Sequence, residues 1–110
     1  MVAMSLIREM AERIARTYDP DKIILFGSHA RGAAAKRSDV DFLVIKETRE
    51  SRTKRSVPLY ALLEDIPVSK DILVYTSREI EDYKEWPFSL IHHALREGVV
   101  LYEKQARNPT

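Results

Sequence analysis

The sequence predicts an α/β chain, one mixed sheet covered by helices, in the order α-β-α-β-α-β-α-α-β. Three observations predict it. Short apolar runs rich in branched residues at 22–26, 40–45 and 68–75 read as strands. Segments with apolar residues three and four apart alternate with them and read as helices. Breakers at Asp19-Pro20-Asp21, Gly27-Ser28, Pro67 and Trp86-Pro87 separate the two kinds of run.

The first helix is expected over residues 5–18, where Leu6, Ile7, Met10 and Ile14 form one face and Arg8, Glu9, Glu12, Arg13 and Arg16 lie largely on the other. A strand at 22–26 ends abruptly at Gly27-Ser28. The alanine-rich stretch 30–36 favours a short helix. A second strand follows at 40–45. Residues 47–55 are charged throughout and read as an exposed loop or helix start. Leu59, Leu62, Leu63 and Ile66 place a helix over 57–65, with Pro58 tolerated in its first turn. The third strand spans 68–75. Thr76-Ser77-Arg78-Glu79 matches a capping box for a helix running to about 85. A further helix over 88–97 is expected to close at Gly98 as a C-cap. A last strand takes 99–102, and 104–110 is a polar tail expected to fray.

With 110 residues, 45% of them hydrophobic, the chain is expected to form a single domain over 1–110 with one core. There is no cysteine, which excludes disulfides and thiolate chemistry. No apolar run nears the roughly 20 residues that span a bilayer. The start of the chain is apolar on one helical face only and is not expected to act as a signal peptide. A cytoplasmic protein with no membrane association is expected. The 18 basic and 17 acidic residues give a formal charge of +1. Direct nucleic-acid binding is therefore not favoured, since a phosphate-backbone binder shows a clearer basic excess.

The carboxylates carry the chemistry. Asp is depleted in strands, yet Asp39 and Asp41 open one strand and Asp71 sits just inside another. Residues two apart project from the same strand face, so Asp39 and Asp41 point the same way and repel. A hard divalent cation relieves that repulsion, and Mg²⁺ takes carboxylates together with substrate phosphates. Asp71 joins them if the second and third strands are parallel neighbours. Three carboxylates in one site suit two-metal phosphoryl or nucleotidyl transfer. Read singly, each also fits a plainer role as turn residue, solvated strand residue or edge residue.

Gly27-Ser28 follows a buried strand, and Gly there permits unusual backbone angles and close backbone approach. A helix start behind it would suit a phosphate. The Ser28 hydroxyl can donate to a phosphate oxygen. Arg31 can reach the same phosphates or form an ion pair within the fold. If the first two strands are antiparallel neighbours, phosphate cradle and acidic pair are adjacent.

Gly27-Ser28-His29-Ala30-Arg31-Gly32, followed by Ser38-Asp39-Val40-Asp41, resembles the signature of the DNA polymerase beta-type nucleotidyltransferase superfamily, and the small size resembles its minimal branch. The resemblance runs from about residue 23 to 101. It implies a nucleotidyltransferase fold, Asp39 and Asp41 as Mg²⁺ ligands, and Asp71 as a third carboxylate that helps hold metal and accepts the proton of the attacking hydroxyl. It implies two Mg²⁺ ions, ATP as substrate, and Gly27 and Ser28 holding the triphosphate. His29 departs from the Arg of many members, which puts phosphate contact at that position in doubt. Members of this branch are similar to antitoxin partners of HEPN-type ribonuclease toxins, which implies AMP transfer to a tyrosine of such a toxin; whether the chain forms a homo- or hetero-oligomer is left open by the sequence. A non-catalytic nucleotide-binding antitoxin module, and nucleotidyl transfer to RNA or a small molecule, stay open.

His92 and His93 are adjacent on a helix and cannot share an ion. Arg49, Arg52, Lys54 and Arg55 read as a solvated run or a docking surface. Trp86-Pro87-Phe88 reads as packing at a helix junction or, if exposed, as a protein interface.

Overall fold

The computed structural model describes residues 2–35 and 38–105. In α1 (Met4–Tyr18), Ile7, Met10, Ala11 and Ile14 are buried, the stripe that an amphipathic helix turns to a core. Strands β1 (Lys22–Phe26), β2 (Val40–Ile45), β3 (Lys70–Tyr75) and β4 (Val99–Glu103) form one sheet in the order β3-β2-β1-β4. β1 is antiparallel to both β2 and β4, and β2 is parallel to β3. The crossover from β2 to β3 carries α2 (Arg52–Arg55) and α3 (Val57–Leu62), with Pro58 in the first turn of α3.

The expected helix over 30–36 is absent from its described part. The chain makes turns there, with the Gly27 carbonyl accepting from Ala30 and Arg31 N–H and the Ser28 carbonyl from Ala33 N–H. The left-handed φ of 75° at Gly27 precedes the stretch, and that of 69° at Gly32 interrupts it from within. The described pieces on either side of Gly32, residues 28–31 and 33–35, are each too short to offset helix nucleation, whatever their alanine content. Lys36 lies outside the described residues. The order is therefore α-β-β-α-α-β-α-α-β. β3 also starts later than expected, because Val68 N–H is spent in a turn on the Ile66 carbonyl.

The capping box forms as expected at the start of α4 (Ser77–Tyr83). Thr76 Oγ1 accepts from Glu79 N–H, and Glu79 accepts from Thr76 N–H. α5 (Leu90–Glu97) starts at Ser89, whose hydroxyl accepts from His92 N–H. Gly98 is not a left-handed cap, since its φ is −75°. Space dictates glycine there: an added Cβ would collide with the Ala94 carbonyl and with Ile24 Cγ2.

The two faces of the sheet are covered unequally. Ile23, Leu25, Val40, Phe42, Val44, Ile72 and Val74 pack under α1 and α3 in the larger cluster. Ile24, Phe26, Leu43 and Ile45 pack under α4 and α5 in the smaller one, where Leu73 and Tyr75 stay only partly buried. Among the described residues no buried side-chain polar atom lacks a partner, as stable interiors require.

Candidate active site

Alternation along β2 sends Leu43 and Ile45 to the α4/α5 face, so Asp41 belongs to that face too. The register puts Phe26 opposite Asp41 and Asp41 opposite Asp71, one row across three strands. Neighbouring strands lie about 4.8 Å apart, so the Asp41 and Asp71 carboxylates share a face at one strand spacing. Asp39 stands just before β2, two residues from Asp41. Asp39 and Asp71 are exposed, whereas Asp41 is half-buried. Both conditions set by the sequence, antiparallel β1/β2 and parallel β2/β3, are met.

Gly27 follows Phe26 directly and turns the chain beside this row. An added Cβ would run into Asp41 Oδ2, and the left-handed φ strains any side chain in addition. Backbone and carboxylate are thus in direct contact, and glycine is what permits it.

The electrostatics are those of a site that wants a cation. Burial pushes the Asp41 carboxyl above the usual carboxylate range; Asp71 and then Asp39 push it the same way, with weaker opposition from His29 and Arg31. Among the described residues no group of three or more His, Asp or Glu stands close enough together, as placed, to hold a metal ion by itself. The donors fit Mg²⁺ in kind, since it binds through one or two carboxylates and completes its shell with water and phosphate oxygens. Asp39, Asp41 and Asp71 could hold it.

Ser28 is half-buried in the turn after Gly27. Arg31 is exposed and faces Glu97 Oε2 at 3.5 Å across to the end of α5, so it makes the ion pair of its two expected roles. His29 is buried, and neither ring nitrogen is open to a phosphate. Nδ1 lies 3.0 Å from the Asp39 carbonyl oxygen, and Nε2 accepts from Val2 N–H at 3.2 Å.

Sequence reading missed the chemistry at the other end of the strands. Arg55, taken as part of a solvated run, is buried. It donates to the Glu50 and Val74 carbonyls and to Glu79 Oε1 at 2.7 Å. Glu79 also pairs with Arg52, which lies over the Tyr75 ring. Burial alone would raise the Glu79 carboxyl, but Arg55, Thr76 N–H and Arg52 outweigh it and bring its pKa down to about 2. The partners stand 24 residues apart, and only the capping-box pattern marked Glu79 beforehand. A cavity of about 480 Å³ beside Tyr18, Lys46 and Val57 lies at this same end. Its one buried charge, Arg55, is already satisfied, so it does not compete with the acidic row. Trp86 and Phe88 are exposed, Phe88 almost fully. No helix among the described residues is long and apolar enough to cross a membrane.

The family described as polymerase beta, nucleotidyltransferase, matches residues 9–107, and the chain belongs to it. A proposed protein adenylyltransferase of Methanocaldococcus jannaschii is 38% identical over 64 residues, which are 56% of this chain and 42% of that protein. The chain thus spans about two-fifths of that relative. Two solved structures share the fold. A proposed nucleotidyltransferase from Sulfolobus solfataricus superposes with a TM-score of 0.61 at 21% identity, over 91% of this chain and 79% of the other. A toxin–antitoxin structure with AMP-PNP gives 0.62 at 19% identity, over 89% and 74%.

Proposed function

We propose that this member of the polymerase beta nucleotidyltransferase family moves AMP from ATP to a hydroxyl of a partner protein, with Asp39, Asp41 and Asp71 holding two Mg²⁺ ions. The row Phe26–Asp41–Asp71, with Gly27 against the Asp41 carboxylate, carries the reading. It gathers a metal-type donor set and a backbone open to close approach on one patch of sheet.

Bound Mg²⁺ would neutralise the carboxylates and the triphosphate and stabilise charge on the entering and leaving oxygens. Gly27 and Ser28 receive the triphosphate, because the left-handed turn presents backbone beside the Asp41 carboxylate that holds the metal. Arg31 exchanges Glu97 for a phosphate oxygen, since a 3.5 Å pair between exposed groups holds it weakly. An Asp71 carboxylate oxygen takes the proton of the acceptor hydroxyl. The acceptor oxygen bonds to the α-phosphorus as the bond from that phosphorus to pyrophosphate breaks.

The acceptor we favour is a tyrosine of a HEPN-type toxin, as the sequence resemblance implies. The shared fold with a toxin–antitoxin structure supports a toxin partner. So do exposed Trp86 and Phe88, in the helical layer over the face that carries Asp41, since such residues anchor interfaces. We place the chain in the cytoplasm as one nucleotidyltransferase domain. A second reading, a nucleotide-binding antitoxin module without chemistry, is favoured by one observation: among the described residues no three of the acidic side chains stand close enough, as placed, to hold a metal ion together.

The test is transfer of label from α-labelled ATP with Mg²⁺ to protein in a source-cell lysate or to a co-purified partner. Label on one protein, lost with EDTA and with Asp39→Asn/Asp41→Asn, is expected. No label from any of the four triphosphates, with a partner still co-purifying, favours the second reading.

A further inference from the structure

Asp41 and Asp39 are fixed by different means. Asp41 lies inside the ladder, paired with Phe26 on one side and Asp71 on the other. Asp39 lies one residue outside it, because the ladder begins at Val40, whose N–H donates to the Ser69 carbonyl. The chain reaches Asp39 through a loop without regular structure in its described part. The ring of His29 spans that loop from its other end and meets the Asp39 carbonyl.

The hydrogen bonds also fix which nitrogen carries the proton. Nε2 accepts from Val2 N–H, so it must be the unprotonated nitrogen. Nδ1–H is then the donor, and the Asp39 carbonyl its acceptor. Val2, at the entry to α1, thereby sets the tautomer that holds Asp39. With the ring buried, water competes little for either bond.

We propose that His29 is a positioning residue. It clips the backbone of Asp39 to the Gly27–Gly32 turn, so that the Asp39 carboxylate faces the same metal position as Asp41. The inference rests on the metal-binding reading above. It goes beyond it by giving His29 a role that depends on Nδ1 alone.

Two substitutions separate the two nitrogens. His29→Asn keeps an amide N–H near the Nδ1 position and loses the Val2 acceptor. His29→Gln carries its amide oxygen toward the Nε2 position and loses the bond to Asp39. Mn²⁺ binding is measured by calorimetry in the presence of α,β-methylene ATP, with the thermal midpoint taken alongside. His29→Gln is expected to weaken Mn²⁺ binding by roughly 10- to 100-fold, the usual effect of losing an outer-shell partner. His29→Asn is expected to stay within about twofold of wild type even if its midpoint falls, because the bond it loses serves stability rather than Asp39.

Equal Mn²⁺ affinities for the two variants overturn the clip while leaving the metal site standing. A wild type that binds neither Mn²⁺ nor the analogue overturns both readings. Should His29→Gln fail to fold, nitrogen NMR of the wild type decides: a proton on Nδ1 coupled across the hydrogen bond to the Asp39 carbonyl is expected, and a proton on Nε2 overturns the inference.

Discussion

The two ends of the parallel strand pair treat charge in opposite ways. At the end where β2 and β3 begin, Asp39, Asp41 and Asp71 carry like charges, and Asp41 is raised by burial and by the other two. Where β3 ends and α4 begins, Arg55 and Arg52 both pair with Glu79, so opposite charges meet, and the Glu79 pKa falls to about 2. A fold selected only for stability would not leave the first cluster as it is, since like charges in partial burial destabilise and are easily removed by substitution. The second cluster shows what this chain does with charge when charge has a structural task. The contrast points to the acidic end as the working end.

The largest effect that sharpens the contrast is on catalysis. Asp39→Asn with Asp41→Asn is expected to lower label transfer by several kcal/mol of transition-state stabilisation, roughly a thousandfold. Its thermal midpoint should equal or exceed that of wild type, because the repulsion is removed. A clear drop in midpoint would break the comparison, for the carboxylates would then be structural.

The mirror experiment is Arg55→Met. It leaves Glu79 and the Val74 carbonyl without their buried donor. Glu79 keeps Arg52 and the Thr76 N–H, so the loss is that of unsatisfied acceptors, about 1–3 kcal/mol, read as a lower denaturation midpoint. Metal affinity should be unchanged in the protein that remains folded.

Gly27→Ala comes next. It puts a Cβ against Asp41 Oδ2 at a φ of 75°, which costs roughly 1–3 kcal/mol. Both stability and transfer are expected to fall, because this glycine serves backbone and carboxylate at once.

The smallest effects are on pH dependence, and their signs oppose. Glu79 is depressed in the fold, so its contribution is present above its ordinary pKa of 4.5 and is lost as pH falls toward about 2. Asp41 is raised, so the fold gains stability as pH falls through its elevated pKa from above. Glu79→Gln should flatten the acid loss, and Asp41→Asn should remove the gain. Urea midpoints at a series of pH values separate them, and the same slope change from both variants would contradict the assignment.

How much of this was legible in the sequence follows from how far apart the deciding partners lie. β1 and β2 match their predicted bounds because a buried strand writes itself as a local apolar run between breakers. The acidic row was legible for the same reason: a spacing of two in one strand and one Asp in another need only the correct pairing to meet. The alanine-rich stretch misled because composition speaks for helix while left-handed turns at Gly27 before it and at Gly32 within it break the run. His29 and Arg55 were illegible. Their partners, Val2 and Asp39 for one and Val74 and Glu79 for the other, come near only after the sheet has formed.

The most direct test is a comparison of thermal midpoints for wild type and Asp41→Asn, each with and without Mg²⁺ and α,β-methylene ATP. A ligand that binds only the folded state raises the midpoint. Without ligand the variant is predicted to melt at or above wild type; with ligand the order is predicted to reverse, only wild type rising. A ligand-induced rise equal in both proteins, or absent in wild type, would contradict the assignment of the acidic row as the metal–nucleotide site.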